Sequence, residues 1–480
     1  MLTLINTNRM EPLIAPIGLD YVAGAAEAAG VETEVLDLAL AGDPAAALSG
    51  HFARGAVRLV GLTLRNVDDC FWPSAEWFVP DLAETVGRVR EVSDAAIVLG
   101  GVGYSIFPRR LVEFTGADFG IHGDGEAAVV ALVGELEGGR RFGRVPGLVW
   151  RQDGGLRGNP PAWPERLSLA TARGAIDNAA YFRLGGQGAV ETKRGCDRRC
   201  IYCADPLAKG PRVRRRHPAE VADEIGSLAA QGVDVLHTAD SEFNVPADHA
   251  AAVCEELARR RLGERVRWYA YLAVMPFDAQ LAGAMRRAGC VGINFTGDSA
   301  ADAMLAAYRH PHRREDLASA IRLCRENGIA VMIDLLLGGP GETPETAAET
   351  IAFLKRAGPD CAGAALGMRI YPGTEAADRV AAEGPLEENA GIRRRYEGPV
   401  DFFRPTFYIS PALGENPAAL VKDLIAGDER FFEPAEEVAG EDGKGYNYND
   451  NAPLVEAIGR GERGAYWDIL RRMRGGGQPA

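Results

Sequence analysis

The chain has 480 residues, 47% hydrophobic and 25% charged, which is enough for two or three domains with cores of their own. A net charge of −14 argues against a nucleic-acid partner, because gripping a phosphate backbone takes clustered Lys and Arg. No apolar run approaches the roughly 18 residues that cross a bilayer, and the start, Met1-Leu2-Thr3-Leu4-Ile5-Asn6, lacks a basic stretch followed by an apolar one, so no membrane partner and a cytoplasmic location are expected.

Residues 1–136 alternate short apolar strands with amphipathic helices, the pattern of an α/β, Rossmann-like open parallel sheet. Strands are predicted at Thr3 to Ile5, Thr33 to Leu38, Val57 to Leu64, Ala96 to Leu99 and Phe119 to Ile121, with helices at Ile17 to Ala29 and from about Ala75 to Val92. Ligands of such sheets sit beyond the C-terminal strand ends. Three loops there are distinctive: Leu64-Arg65-Asn66-Val67-Asp68-Asp69-Cys70, Gly100-Gly101-Val102-Gly103-Tyr104-Ser105 and His122-Gly123-Asp124-Gly125-Glu126. Their glycines let the backbone approach a bulky ligand closely.

Residues 137–188 are rich in Gly, Pro and Arg and read as a linker with one hairpin. The alternation then resumes over 189–400, with strands predicted at Val233 to His237, Trp268 to Val274, Val291 to Phe295, Ala330 to Leu337 and Ala364 to Ile370, separated by helices such as Arg314 to Asn327 and Pro344 to Ala357. With the strand before residue 196 this makes about six βα units, a partial (β/α)6 barrel. Residues 401–480 form a C-terminal capping region, whose aromatic stretches at Phe402 to Ile409, Phe431-Phe432 and Tyr446-Asn447-Tyr448 can exclude water from a site or simply fill a core.

The most informative run is Lys193-Arg194-Gly195-Cys196-Asp197-Arg198-Arg199-Cys200-Ile201-Tyr202-Cys203. Three thiolates so spaced can wrap one face of a [4Fe-4S] cluster and leave one iron open to bind a substrate molecule. The competing use is a structural zinc with His217 as fourth ligand, although zinc ribbons present two paired-cysteine knuckles and a second pair is missing from the sequence. The other five cysteines (Cys70, Cys254, Cys290, Cys324, Cys361) are scattered, which suits reducing surroundings rather than a disulfide framework.

The cysteine run, with Tyr202 before its third cysteine, resembles the signature of radical S-adenosylmethionine (SAM) enzymes, and residues 1–136 resemble the cobalamin-binding domain that precedes it in one large subfamily. The resemblance implies a [4Fe-4S] cluster on Cys196, Cys200 and Cys203, with SAM chelated at the open iron, and cobalamin against the three N-terminal loops. Asp-x-His-x-x-Gly, the source of an axial histidine in other cobalamin domains, is missing from the sequence, so Arg65 or Asn66 is the candidate for the lower face of the corrin. A cation there discourages a further cobalt ligand and favours a nucleophilic, low-valent cobalt; the competing role for Arg65 is a surface ion pair with Asp68 or Asp69. The remaining cobalamin candidates are Asp68, Gly100, Gly101, Gly103, Tyr104, Ser105, Gly123, Asp124, Gly125 and Glu126.

For SAM, the resemblance points to Asp240 or Glu242 for the amino group, with Glu242 also able to approach the open iron, and to Asn294 and Asp298 for the ribose or carboxylate. Gly339 and Pro340, in Gly338-Gly339-Pro340-Gly341-Glu342-Thr343, would pack on the adenine; Tyr202 belongs to the cluster loop, and Arg369, in Arg369-Ile370-Tyr371-Pro372-Gly373-Thr374, to the sixth strand end. An N-cap role competes for Asp240. Tyr308, in Tyr308-Arg309-His310-Pro311-His312, is the candidate to take a proton from an aromatic substrate, against an idle surface tyrosine.

The implied activity is that of a class B-like, cobalamin-dependent radical SAM C-methyltransferase, of the kind that methylates indole or pyrrole carbons: methyl passes from SAM by way of methylcobalamin to a carbon of a small-molecule natural-product intermediate, with a flavodoxin or ferredoxin as reductant. A cyclase or ring-rearranging member that transfers no methyl group is the alternative.

Overall fold

The computed structural model describes residues 1–435 and 447–474. Its N-terminal sheet runs, edge to edge, Thr33–Asp37, Leu2–Asn6, Leu59–Thr63, Ala96–Gly100, Phe119–Ile121, Leu148–Gln152 and Gly155–Gly158. The first five strands are parallel and the last two antiparallel. Alternate side chains feed two cores. Ile5, Val60, Leu62, Ile97 and Leu99 face the helices Val79–Val92 and Pro108–Thr115, while Leu4, Leu59, Val98, Phe119 and Ile121 face Ile17–Ala28 and Glu126–Glu137. The segment expected to be a linker therefore begins as part of this sheet, its hairpin pairing with Phe119–Ile121 because Val149 and Trp150 complete the two cores.

The second sheet is wholly parallel: Gly188–Val190, Val235–Thr238, Arg267–Ala273, Cys290–Asp298, Ala330–Leu337, Cys361–Leu366 and Phe431–Phe432. It is the six-stranded partial barrel plus a short seventh strand from the C-terminal region. The barrel strand ends at Leu366, and Met368–Arg369 turns away into a three-stranded antiparallel sheet with Thr406–Tyr408 and Ile392–Arg394. Outward residues such as Ile293, Phe295, Ile333 and Leu335 pack under the helices. Inside, Val235, Tyr269, Met332, Cys361 and Phe432 meet Leu454, Ile458, Trp467 and Ile469, so the helices Ala452–Gly459 and Tyr466–Arg474 plug one end. Two residues further along the strands, the inward positions turn polar: His237, Tyr271, Asn294 and Asp334. Among the described residues no helix is long and apolar enough to cross a membrane.

One buried charge cluster joins the two domains. Glu224, on the first barrel helix Pro218–Ala230, accepts from Tyr21 Oη at 2.7 Å, from Arg173 at 2.8 Å and from Arg216 at 2.5 Å. Arg173, from the connecting segment, also holds Asp20 at 2.5 Å, and the Tyr21 ring lies under the guanidinium groups of Arg173, Arg194 and Arg216. Burial opposes the charge on Arg173, yet Tyr21, Glu224 and Asp20 together carry its pKa above the ordinary arginine value. Removing one member strands the others without water, so Arg173→Met should destabilise the folded chain by about 3–5 kcal/mol and lower its urea midpoint, measured by tryptophan fluorescence. A midpoint equal to wild type would show that the cluster does not hold the domains.

Candidate active site

A cavity of about 720 Å³ opens where the C-terminal ends of both sheets face each other, within the size range of cofactor and ligand sites. From the N-terminal domain it is lined by Arg65, Asn66, Gly100, Gly101, Ser105 and the run Gly123 to Glu126; from the barrel by Glu191, Arg194, His237, Asp240 and Tyr271; and from the C-terminal region by Tyr448 and Tyr466. Ten of the expected cofactor residues thus share one space, since Asp240 joins the nine from the N-terminal loops.

The loops that form the N-terminal wall brace each other. Gly103 N–H donates to the carbonyls of Leu64 and Arg65, and Ser105 Oγ accepts from Gly123 N–H at 3.0 Å. Gly101 has φ +106°, and a Cβ there would lie 2.4 Å from Leu64 O, whereas one at Gly100 would project into open space. That bare, glycine-faced wall suits a large flat ligand such as a corrin. Gly103 and Tyr104 stand behind it, with Tyr104 fully buried and donating to Pro108 O. Asp124 and Glu126 sit at the rim, where Arg194 and Arg214 of the barrel hold them.

Asp68 is not on the cavity wall. Its carboxylate takes a 2.8 Å hydrogen bond from Arg369 Nε, and both side chains are buried, so this expected pair of cofactor contacts is instead a second clasp between the domains. Asp69 is held by Ser74 and by backbone N–H groups. Neither aspartate is thus a partner of Arg65, and among the described residues Arg65 makes no ion pair. It lines the cavity together with Tyr466 and Tyr271; burial lowers its pKa, with those two tyrosines acting the other way. A cation in that position fits the lower-face role.

Cys196, Cys200 and Cys203 are free thiols gathered close enough that Cys196 and Cys200 both raise the pKa of Cys203, after the larger effect of burial; burial also pushes Cys200 to about 12. His217 is not with them, since its ring accepts from Ala219 N–H and caps the helix Pro218–Ala230. Glu242 is. Its charge raises both Cys196 and Cys200, one carboxylate oxygen accepts from Thr296 at 2.8 Å, and the other is buried with no partner. Burial lifts Glu242 to about 7. An orphaned carboxylate oxygen beside three thiols is what an iron cluster with an open site, or the ammonium of SAM, would satisfy.

Asp240 plays a different part from the one expected. It accepts from Thr192 N–H and Oγ1 and from Lys193 N–H and Nζ, so it latches the strand that leads into the cysteine loop and has no oxygen left for an ammonium; it caps no helix. Asn294 donates to Asp334 at 3.2 Å, and its carbonyl oxygen is buried without a partner. Asp298, at φ +55° beside an irregularity in strand register, receives Tyr202 Oη and lies 2.6 Å from His310 Nε2. It steadies the cluster-loop aromatic. Thr343 caps Pro344–Ala357 by accepting from Thr346 N–H.

Tyr308 corrects the sequence reading most clearly. It is fully buried, donates to Leu336 O at 3.0 Å and accepts from Gly339 N–H at 3.1 Å, which fixes the Gly339-Pro340 loop and leaves no route to a substrate. A Cβ on Gly339 would lie 2.3 Å from that hydroxyl, which is why the position is glycine. Residues not anticipated as site members are His237 and Tyr466, together with Lys193 as the counter-ion of Asp240. The available signal was strand parity, since His237 and Tyr271 occupy inward positions one step above the plugged end. Tyr448 lines the cavity as the aromatic tail suggested, while Tyr446 lies outside the described residues.

The profile of the radical SAM superfamily matches residues 190–354, and that of the B12 binding domain matches residues 4–133. These define a chain that joins a B12 binding domain to a radical SAM domain. The structure superposes on the radical S-adenosylmethionine methyltransferase TsrM of Kitasatospora setae, solved with tryptophan and a SAM analogue, with a TM-score of 0.92 and 32% identity over 99% of this chain and 98% of that one. The tryptophan 2-C-methyltransferase of Streptomyces laurentii is 29% identical over 97% of this chain and 94% of its own length. The cobalamin-dependent radical enzyme OxsB shares the fold, with a TM-score of 0.71 at 16% identity. The chain belongs to the cobalamin-dependent radical SAM methyltransferases.

Glu342 offers a test of the loop that Tyr308 supports. Burial raises its carboxyl to about 7 from the ordinary 4.5, while bonds from Gly338 N–H, Thr346 and Tyr308 pull the other way. The folded state thus holds the proton more tightly than the unfolded one. Stability from this group is complete below about pH 4.5 and is lost as pH rises through about 7, a loss of about 3 kcal/mol. Glu342→Gln should therefore gain stability relative to wild type between about pH 5 and about pH 8 in urea denaturation of the cofactor-free protein. Parallel curves would place the Glu342 pKa near its ordinary value.

Proposed function

We propose that this methyltransferase acts on a ring carbon of an indole- or pyrrole-bearing small molecule, with tryptophan as the first compound to test. One observation carries the proposal: a single cavity is walled on one side by the glycine loops and Arg65 and on the other by the aromatic and imidazole rings of Tyr271 and His237. A methyl carrier on the first wall would face a planar acceptor on the second. The full-length similarity to an enzyme that methylates tryptophan supports the same substrate class.

When bound, cobalamin supplies a cobalt that relays the methyl group, and the cluster supplies an open iron that anchors SAM. The protein's part is positioning. Cys196, Cys200 and Cys203 hold the cluster, Glu242 offers its spare oxygen to the open iron or to the SAM ammonium, and Asp298 keeps Tyr202 in place beside them. Arg65, without an ion-pair partner among the described residues, would present its charge to bound cobalamin. Tyr448 and Tyr466 narrow the barrel side and limit water. A low-potential reductant such as flavodoxin or ferredoxin, a cytoplasmic location and the absence of a nucleic-acid partner complete the proposal, the last resting on the acidic charge.

Anaerobic reconstituted protein given methyl-deuterated SAM and L-tryptophan should yield a product with the label on a ring carbon, read by mass spectrometry and NMR. No labelled product from any indole or pyrrole would defeat the substrate proposal. Arg65→Ala should retain cobalamin yet slow methyl loss from SAM at least about tenfold, ~1.4 kcal/mol of activation barrier, and change the absorption spectrum of the bound cofactor. A variant matching wild type in both would remove Arg65 from the cobalt face.

A further inference from the structure

His237, in the polar layer inside the barrel, presents to the cavity an acceptor that no described residue uses. It is the penultimate residue of the strand Val235–Thr238 and lines the cavity, with its ring 4.9 Å from that of Tyr271. Its Nδ1 lies 2.8 Å from Thr238 O, and a carbonyl can only accept, so the proton is on Nδ1. Nε2 then carries a lone pair, and among the described residues it has no hydrogen-bond partner. The imidazole is enclosed by protein apart from the cavity, and burial lowers its pKa to about 4, so it stays neutral at physiological pH.

We propose that His237 Nε2 accepts the ring N–H of the heteroaromatic substrate and so selects for indoles and pyrroles over rings with oxygen or sulfur at that position. The proposal rests on the substrate class given above and adds the residue that reads it. A neutral imidazole suits this task better than a carboxylate. A single lone pair, fixed in direction by the Thr238 bond, matches a single N–H, and a ring lacking that N–H leaves a buried acceptor unsatisfied. The Tyr271 ring beside it, exposed to the cavity, offers a face on which a planar ring can stack while its N–H points at Nε2. Asn294 and Asp334, also in this layer, are bonded to each other through Asn294 Nδ2 and do not line the cavity, so the free Asn294 carbonyl oxygen is buried away from the space a substrate would enter. The positioning of the ring also decides which carbon faces the methyl carrier, so His237 contributes to regiochemistry as well as to affinity.

The test is anaerobic calorimetry on the reconstituted, cobalamin-loaded enzyme with L-tryptophan and with its benzothiophene analogue, in which sulfur replaces the ring N–H. Wild type should bind tryptophan at least about tenfold more tightly than the analogue. His237→Phe should erase that preference by weakening tryptophan while leaving the analogue unchanged, and His237→Gln, which keeps an acceptor, should restore part of it. Bound cobalamin should show the same absorption spectrum in all three proteins. Preference retained in His237→Phe would overturn the assignment. So would a cobalamin spectrum that changes with the substitution, since the imidazole would then be a cobalt ligand. Wild type that binds neither compound but binds an unrelated small molecule would overturn the indole and pyrrole reading itself, and the assignment with it.

Discussion

The site depends on one constraint: a carboxylate and two guanidinium groups, all out of water, can exist only if they satisfy each other. Glu224 pairs with both Arg173 and Arg216 and bonds Tyr21, Arg173 also holds Asp20, and the five come from the first N-terminal helix, the connecting segment and the start of the barrel. Desolvation makes such a cluster costly to form and costlier to break, so it favours a single arrangement of the domains rather than simply adding stability. That arrangement makes the cavity, since neither wall encloses it alone.

Two further clasps repeat the principle nearer the chemistry. Arg369 grips Asp68 on one flank, and Arg194 and Arg214 grip Asp124 and Glu126 on the other. Each ties a cofactor loop of the first sheet to a segment flanking the barrel. Several charged residues at the strand ends thus fix the walls of the cavity, onto which Arg65 and the imidazole of His237 open, while the orphan oxygen of Glu242 lies buried beside the cysteines. Lys193 and Asp240 extend the same logic to the cysteine loop, because the latch anchors the strand from which all three thiols are presented.

Much of this was legible in the sequence for physical reasons. Parallel strands buried on both faces must be short and apolar, which exposes Ala96 to Leu99 and Ala330 to Leu337, and three cysteines within eight residues have few uses. What was not legible depends on partners distant in the chain. Asp68 and Arg369 are 301 positions apart, and nothing local marks either as half of an ion pair. Asp240 looks like a ligand until Lys193 is seen beside it. Tyr308 looks reactive beside two histidines, but the need of Gly339 N–H for an acceptor pulls it into the core. The hairpin of the connecting segment was expected, but not that its strand Leu148–Gln152 extends the first sheet, because flanking Gly and Pro mark its turns and not its partner.

The most direct test is whether the two walls act on one methyl group. Reconstituted protein with cobalamin, a low-potential reductant and methyl-deuterated SAM, without substrate, should place the label on cobalamin faster than a protein-free control, as mass spectrometry of the extracted cofactor would show. Unlabelled cobalamin alongside accumulating 5′-deoxyadenosine would contradict the account, because SAM would then be cleaved at the cluster without its methyl group crossing the cavity.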